Sequence, residues 1–422
     1  MKKYIEYLIL AFLLIYLVRS ALIPAWSELQ SDFPNYYISS KILLEGNGEK
    51  LYHDDWFHEK GKMMGIKRHT RFSPFPPLTA LVMVPIAFFK PLAAKRIWTI
   101  LNIFFLLLAI FLLNKITQWK WHLSAIFILL TGVGLSSNIR LGQVYIVITA
   151  MVLLSYFLAQ HNKDYLAGII LALCTVLKYF PVVFILAYAF NKNWRLLSAA
   201  MITIIFLFII QFVIFGPDLM GTYFSAILFP HLEGRIQGQG EFSHIYQTWE
   251  VFLKNIFVFN AFENPNPIIN WPMGKTLINF MLTALILVPL AYILKKVSVY
   301  DSKAKLNIYL YTISLGVFVL LPITATYHFV LISFPVILLL ITIKSKLKPI
   351  WFWITVSLYA GIGFIPLGIF FELGDRLGLI FYYPRLWIVT VLYFVCLLVT
   401  FKLIRNRFIL SSVLLKSTES NN

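Results

Sequence analysis

One carboxylate stands at the edge of an apolar run, in Ser31-Asp32-Phe33-Pro34-Asn35-Tyr36-Tyr37. Asp32 follows a hydrophobic stretch and sits among aromatics, where water meets lipid, so it can serve as a base toward an amphipathic substrate. An ammonium, Lys178, lies within the apolar stretch Leu177-Lys178-Tyr179-Phe180-Pro181, beside a helix breaker. A cation there must face the interior of a helix bundle or a polar cavity. Its partner is then an anionic phosphate or, alternatively, a structural carboxylate or carbonyl. A lone imidazole, His328, ends the turn Leu321-Pro322-Ile323-Thr324-Ala325-Thr326-Tyr327-His328 at nearly the depth of Asp32. It is either an interfacial polar group or part of the same site.

Other polar groups read as scaffolding or remain open. Asn138-Ile139-Arg140-Leu141-Gly142-Gln143 breaks a long apolar run with amide and guanidinium groups. Asp54-Asp55, flanked by His53 and His58, matches no specific zinc or calcium spacing and reads as a solvated loop face. Tyr246-Gln247-Thr248-Trp249-Glu250 lies in a long loop with its own apolar segment, Val251 to Phe259, of the kind that packs across a surface and shapes a binding site.

The elements that position these groups follow from composition. With 60% hydrophobic, 17% aromatic and 13% charged residues, the chain cannot be a soluble globular domain. It is expected to be an all-α integral membrane protein, a single membrane domain over 1–422, with about 12 transmembrane helices of roughly 20 residues each. The expected spans are 4–23, 73–90, 97–114, 121–138, 142–160, 165–190, 195–216, 276–294, 306–322, 327–343, 350–371 and 384–401. They leave two long extracytoplasmic loops, 24–72 and 217–275, the first carrying an interfacial helix from Phe33 to Leu44 that ends at Gly46 and Gly48.

Basic residues recur in alternate gaps: Lys90, Lys95 and Arg96; Arg140; Lys192 and Arg195; Lys295, Lys296, Lys303 and Lys305; Lys344, Lys346 and Lys348. Those gaps are assigned to the cytoplasm, together with both termini. The net charge of +18 is therefore a topology signal, with no nucleic-acid partner implied. Cys174 and Cys396 both fall in apolar runs and imply no disulfide.

Taken in order, the motifs resemble a known family. Asp32-Phe33-x-x-Tyr36-Tyr37, Gly46, Leu51-Tyr52 and Phe72-Ser73-Pro74-Phe75-Pro76-Pro77 look like the polyprenyl-phosphate-mannose-dependent mannosyltransferases of glycosyltransferase family 87. Gly142-Gln143-Val144, Lys178-Tyr179-Phe180-Pro181, Gln247-Thr248 and the turn from Pro322 to His328 are similar to that family's later motifs. The turn departs from the pattern Ser-Pro-x-Ser-Trp-x-His-His, lacking its serines, its tryptophan and its second histidine.

The resemblance implies a GT-C fold in the cell membrane, an extracytoplasmic site, a polyprenyl-phosphate sugar donor and inverting transfer to a glycolipid or glycan acceptor. Asp32 and His328 would be catalytic. Tyr36, Tyr37, Arg71, Gln143, Lys178, Gln247 and Tyr327 would bind substrate. One acid without an Asp-x-Asp pair implies neither metal nor other cofactor. Lys178, Arg71 and His328 are the cations available to a leaving phosphate, with Arg140 assigned to the far side. A transporter or flippase of an anionic substrate would also use a mid-membrane lysine, but no internal symmetry accompanies it here.

Overall fold

The computed structural model describes residues 2–29, 32–235, 240–297 and 302–419, with the backbone alone for 2, 3, 302 and 406–419. Ser31, which opens the Asp32 motif, lies outside the described residues. The architecture is helical, with no strand among the described residues. Among the described residues six helical stretches are long and apolar enough to cross a membrane, or up to eight when each of two sharply bent pairs is taken as one span.

The outer helices need an apolar solvent. In Trp194–Thr222 the side chains of Ile202, Phe206 and Val213 are exposed, Val213 by 80%, and in Pro272–Lys296 so are Phe280, Met281 and Val288. A helix apolar all round is stable only when both its faces are buried, in protein or in lipid. The opposite case is Ser333–Lys346, where Val336, Ile337, Leu338, Leu339 and Leu340 are all fully buried. That helix continues from the tight helical turn Thr326–Ile332, so the segment carrying His328 is anchored in the middle of the bundle.

Contacts sort the connections between two ends of the bundle. At one end, Glu6 near the N-terminus pairs with His122 at 3.0 Å, and Asn193 donates to Asp164 at 2.8 Å. At the other, Arg96 donates to the carbonyl of Trp26 at 3.0 Å, and Lys95 Nζ donates to the carbonyls of Ile139 and Arg140 at 3.1 and 3.0 Å. Lys95, Arg96 and Arg140 are therefore at the end that holds Asp32, contrary to the cytoplasmic gaps expected for them.

Proline explains this difference. Pro74, Pro76, Pro77 and Pro85 prevent 73–90 from forming a spanning helix; it breaks into Thr79–Val82 and Val84–Ile86, so the first long helix after the loop is Pro91–Thr117. The expected span 165–190 is instead two helices, Asp164–Leu177 and Val182–Phe190, parted at Lys178 to Pro181. The two changes offset each other, so Lys192, Arg195 and the later basic connections keep the end assigned to them.

The bent pairs pack on each other. Trp121–Leu129 turns by 77° into Val133–Leu141, and Pro349–Phe364 turns by 86° into Leu367–Leu377. At the first bend Gly132 has φ +52°, and a Cβ there would come 2.3 Å from the carbonyl oxygen of Gly363, near the second bend. Only glycine allows this approach.

The helix expected to float at the lipid interface is instead enclosed. Asp32–Leu44 buries Phe33, Tyr36, Tyr37, Ile38 and Ile42 together with Ser39 and Ser40. The proline-rich segment folds against it: Ser40 Oγ donates to the carbonyl of Ala80 at 2.5 Å, and Tyr37 Oη to that of Phe89 at 2.8 Å. Gly46, at φ +77°, ends this helix as expected.

Candidate active site

Asp32 is the first residue of Asp32–Leu44, where the amides of the opening turn and the helix dipole favour a carboxylate. Gly142 sets its surroundings. It closes Val133–Leu141 with φ +77°, and a Cβ there would lie 2.6 Å from Lys95 Nζ and 2.7 Å from Phe33 Cβ. The absence of a side chain lets the residue after Asp32 and the buried ammonium of Lys95 come together. Lys95 in turn satisfies the last carbonyls of that helix, 5.2 Å from the centre of the Phe33 ring.

Asp32 lines a small cleft. Its walls are Asn35 from the same helix, Ser73 to Pro76 from the proline-rich segment, and Tyr145 from the start of Tyr145–Gln160. Lys178 and Tyr179 come from the break between two helices, His231 and Tyr246 from the second long loop, and Ile323, Ala325, Tyr327 and His328 from the central turn. A carboxylate, an ammonium, two imidazoles and several phenols thus meet in one space at one end of the bundle.

Lys178 is 7% exposed and boxed by aromatic faces, with Nζ 4.1 Å from the centre of Phe75, 5.5 Å from Tyr145 and 5.8 Å from Tyr36. Ring faces attract a cation but do not saturate its donors. The break that places it there is local: its backbone leaves the helix at φ −151°, and Pro181 follows.

His328 is held in one tautomer. Its Nδ1 accepts the backbone N–H of Ala325 at 2.7 Å and therefore carries no proton. The proton of the neutral ring then sits on Nε2, which donates to Tyr145 Oη at 2.6 Å. Adding a second proton would break the Ala325 bond, so in this geometry His328 is an uncharged neighbour of Tyr145. Tyr145, unremarked in the sequence, keeps its own hydroxyl proton for another acceptor.

The remaining expected residues divide by their surroundings. Tyr327 lines the cleft. Tyr36 lies behind it, stacked on Phe75 at 4.4 Å, its hydroxyl donating to Gln143 Oε1 at 2.7 Å. Gln143 is buried and supports that tyrosine, and Tyr37 is spent on Phe89. Arg71 pairs with Asp54 at 3.8 Å and His69 at 2.8 Å, outside the residues that line the cleft.

Gln247 is a structural tie. Its Nε2 donates to the carbonyls of His244 and Tyr382 at 2.7 and 2.8 Å, and its Oε1 accepts from the backbone of Arg385 at 3.1 Å. Asn138 is another, reaching the carbonyl of Tyr327 at 2.9 Å. Arg385, which the sequence did not single out, is almost fully buried. It donates to the carbonyl of Ile362 at 3.1 Å and to Thr326 Oγ1 at 3.0 Å, steadying the central turn from behind.

Electrostatics single out the mouth of the cleft. The Tyr246 hydroxyl is pushed up to about 12, first by burial and then by the negative charge of Asp32, with Arg71 pulling the other way. It stays a proton donor at every physiological pH. Asp54 is raised above the ordinary carboxylate range by burial, against the pull of Arg71 and His69. The residues around it do not gather on an ion: His58 Nδ1 accepts from the Thr70 amide at 3.4 Å, and its ring lies 4.6 Å from that of His69. Among the described residues no group of three or more His, Cys, Asp or Glu could hold a metal.

No curated protein matches the chain. The model for glycosyltransferase family 87 matches residues 74–291, a stretch that contains Gln143, Lys178, His231 and Gln247 and lies between Asp32 and His328. That stretch is a little over half of the chain, and with its apolar helices and polar cleft the protein belongs to glycosyltransferase family 87, as a membrane glycosyltransferase.

Proposed function

We propose that the protein transfers a hexose, mannose by the family's default, from polyprenyl phosphate to a hydroxyl of a glycolipid or envelope-glycan acceptor, with inversion. The observation that carries this reading is one cleft faced by both Asp32 and Lys178. Asp32 takes the acceptor's proton as its oxygen attacks the anomeric carbon. The bond from that carbon to the phosphate oxygen breaks on the opposite side, its electron pair leaving with polyprenyl phosphate. Lys178 meets the growing negative charge, and Tyr145 and Tyr246 supply neutral donors around the sugar.

The reading also places the Asp32 end outside the cell membrane and both termini in the cytoplasm, with about twelve passes. The short connections at the N-terminal end support it, since they carry Lys115 and Lys120, Lys163, Lys192 and Arg195, Lys295 and Lys296, and Lys344, Lys346 and Lys348. Cysteines placed at Lys90 and Glu263 should react with an impermeant thiol reagent on intact cells, and one at Lys120 should not. Labelling at Lys120 alone would invert the assignment.

The chemical test uses purified protein in nanodiscs, a panel of polyprenyl-phosphate hexoses, and measurement of both polyprenyl phosphate and glycosylated product. Asp32→Asn should lower turnover by about 10²- to 10⁴-fold, the usual contribution of a general base. Asp32→Glu should keep a trace, because displacement of about 1 Å can reduce the rate a hundredfold. A folded, inserted Asp32→Asn that turns over at the wild-type rate would end the assignment.

A further inference from the structure

The cleft contains two histidines, and only one has its bonding settled. His328 is engaged at both ring nitrogens, by Ala325 and by Tyr145. His231 is 8% exposed, lines the same cleft, and has an enclosed Nδ1 with no hydrogen-bond partner among the described residues. Its one ring neighbour there is Tyr179, at 5.7 Å and edge-on. A buried polar nitrogen without a partner at the wall of a cleft is open to a group that enters the cleft.

Its neighbours narrow what that partner is. His231 interacts electrostatically with Lys178, and Lys178 also with Asp32. The ammonium is thus the shared neighbour of the base and of the unpartnered imidazole. With the ring proton on Nδ1, His231 offers a neutral N–H beside the ammonium of Lys178 in one pocket, a pair that fits an oxyanion better than a second cation. The chain brings His231 there from the short helix Phe229–Leu232, which follows the long peripheral helix through the segment Tyr223–Leu228.

We propose that His231 is a second, uncharged hydrogen-bond donor to the phosphate of the departing polyprenyl phosphate, acting with Lys178. This rests on the transfer reaction proposed above. As the bond from the anomeric carbon to the phosphate oxygen breaks, that oxygen gains the electron pair. His231 donates its N–H without giving up the proton, and the proton released by the acceptor remains on Asp32. An uncharged donor adds stabilisation without setting a second cation beside Lys178.

The test compares wild type, His231→Ala, His231→Gln and Lys178→Met in nanodiscs, each checked for insertion and thermal melting. Turnover is measured with the polyprenyl-phosphate hexose that the wild type uses, and inhibition with a ten-carbon prenyl monophosphate and its parent alcohol. His231→Ala should lower turnover by about 10²-fold, the scale for one oxyanion donor. The monophosphate should inhibit it about tenfold more weakly, with inhibition by the alcohol and the acceptor KM unchanged. His231→Gln, which keeps an N–H, should recover part of both.

A folded His231→Ala with wild-type turnover and wild-type monophosphate inhibition, or a folded His231→Gln that loses turnover with wild-type monophosphate inhibition, alongside an impaired Lys178→Met, would overturn the role of His231 and leave the transfer reaction standing. Wild-type protein that transfers from no polyprenyl-phosphate hexose would overturn the reaction itself.

Discussion

Two polar clusters lie at the same end of the bundle, and they differ in how fully their hydrogen bonds are used. Around Gln247 and Arg385, amide and guanidinium groups reach the carbonyls of His244, Tyr382 and Ile362 and the hydroxyl of Thr326. In the cleft, Lys178 rests on ring faces, and His231 Nδ1 has no partner among the described residues. Buried polar groups that satisfy one another hold a fold together. One left unmet at the wall of a cleft is available to a ligand, as His231 Nδ1 is. The same residue types therefore mean structure in one place and chemistry in the other.

Lys178→Met tests this contrast most sharply. It should lower turnover by about 10²- to 10³-fold, as expected for loss of a group that stabilises developing charge. It should also melt no earlier than wild type, because a buried cation is exchanged for an apolar chain of similar length. A loss of melting temperature equal to that of a structural mutant would place Lys178 in the scaffold.

Arg385→Met should do the reverse. Removing it leaves the Ile362 carbonyl and Thr326 Oγ1 unmet in the interior, a loss on the order of 3 kcal/mol. Turnover per folded molecule should change far less, and unaltered melting would remove the tie.

Gly142→Ala falls between the two. The added methyl would press on Lys95 Nζ and Phe33 at a left-handed backbone position, with an expected penalty of roughly 1–3 kcal/mol. Because Phe33 adjoins Asp32, turnover should fall as well. A variant that lost stability alone would uncouple the glycine from the base.

The smallest effect is expected at Asp54→Asn. Burial raises the folded-state pKa of Asp54, so its ionisation opposes folding; the penalty sets in as pH rises from the ordinary carboxylate value through the higher folded one. The amide should therefore leave turnover within a few-fold and flatten the pH dependence of melting across that acidic window. A large loss of activity would bring Asp54 and its partner Arg71 into the site.

The sequence made some of this legible and concealed the rest. Asp32 and Lys178 stood out because charge at the edge of, or inside, an apolar run is expensive without a purpose. Gln247 stood out through motif order, yet the fold uses it as a tie. Arg385 opens an apolar helix directly after Pro384, where an arginine resembles any interfacial anchor, and nothing in its spacing reveals the surrounding carbonyls. His231 had no signal, since a lone histidine in a loop becomes informative only once its burial is known. The segment 73–90 is apolar enough to suggest a span, but Pro85, following Pro74, Pro76 and Pro77, keeps it from forming one.

By itself, the sequence determined that the chain lives in a membrane, that its helices are apolar on nearly every face, and that Asp32 begins a helix beside them. Those properties depend on local composition and on prolines, which act within a few residues of themselves. Tertiary structure alone decided that Lys95 and Arg96 lie at the same end as Asp32, that His328 is held neutral by Ala325 and Tyr145, and that Arg385 supports the turn from behind. Each depends on groups from distant parts of the chain meeting within hydrogen-bond reach, and neither periodicity nor composition records which groups will meet.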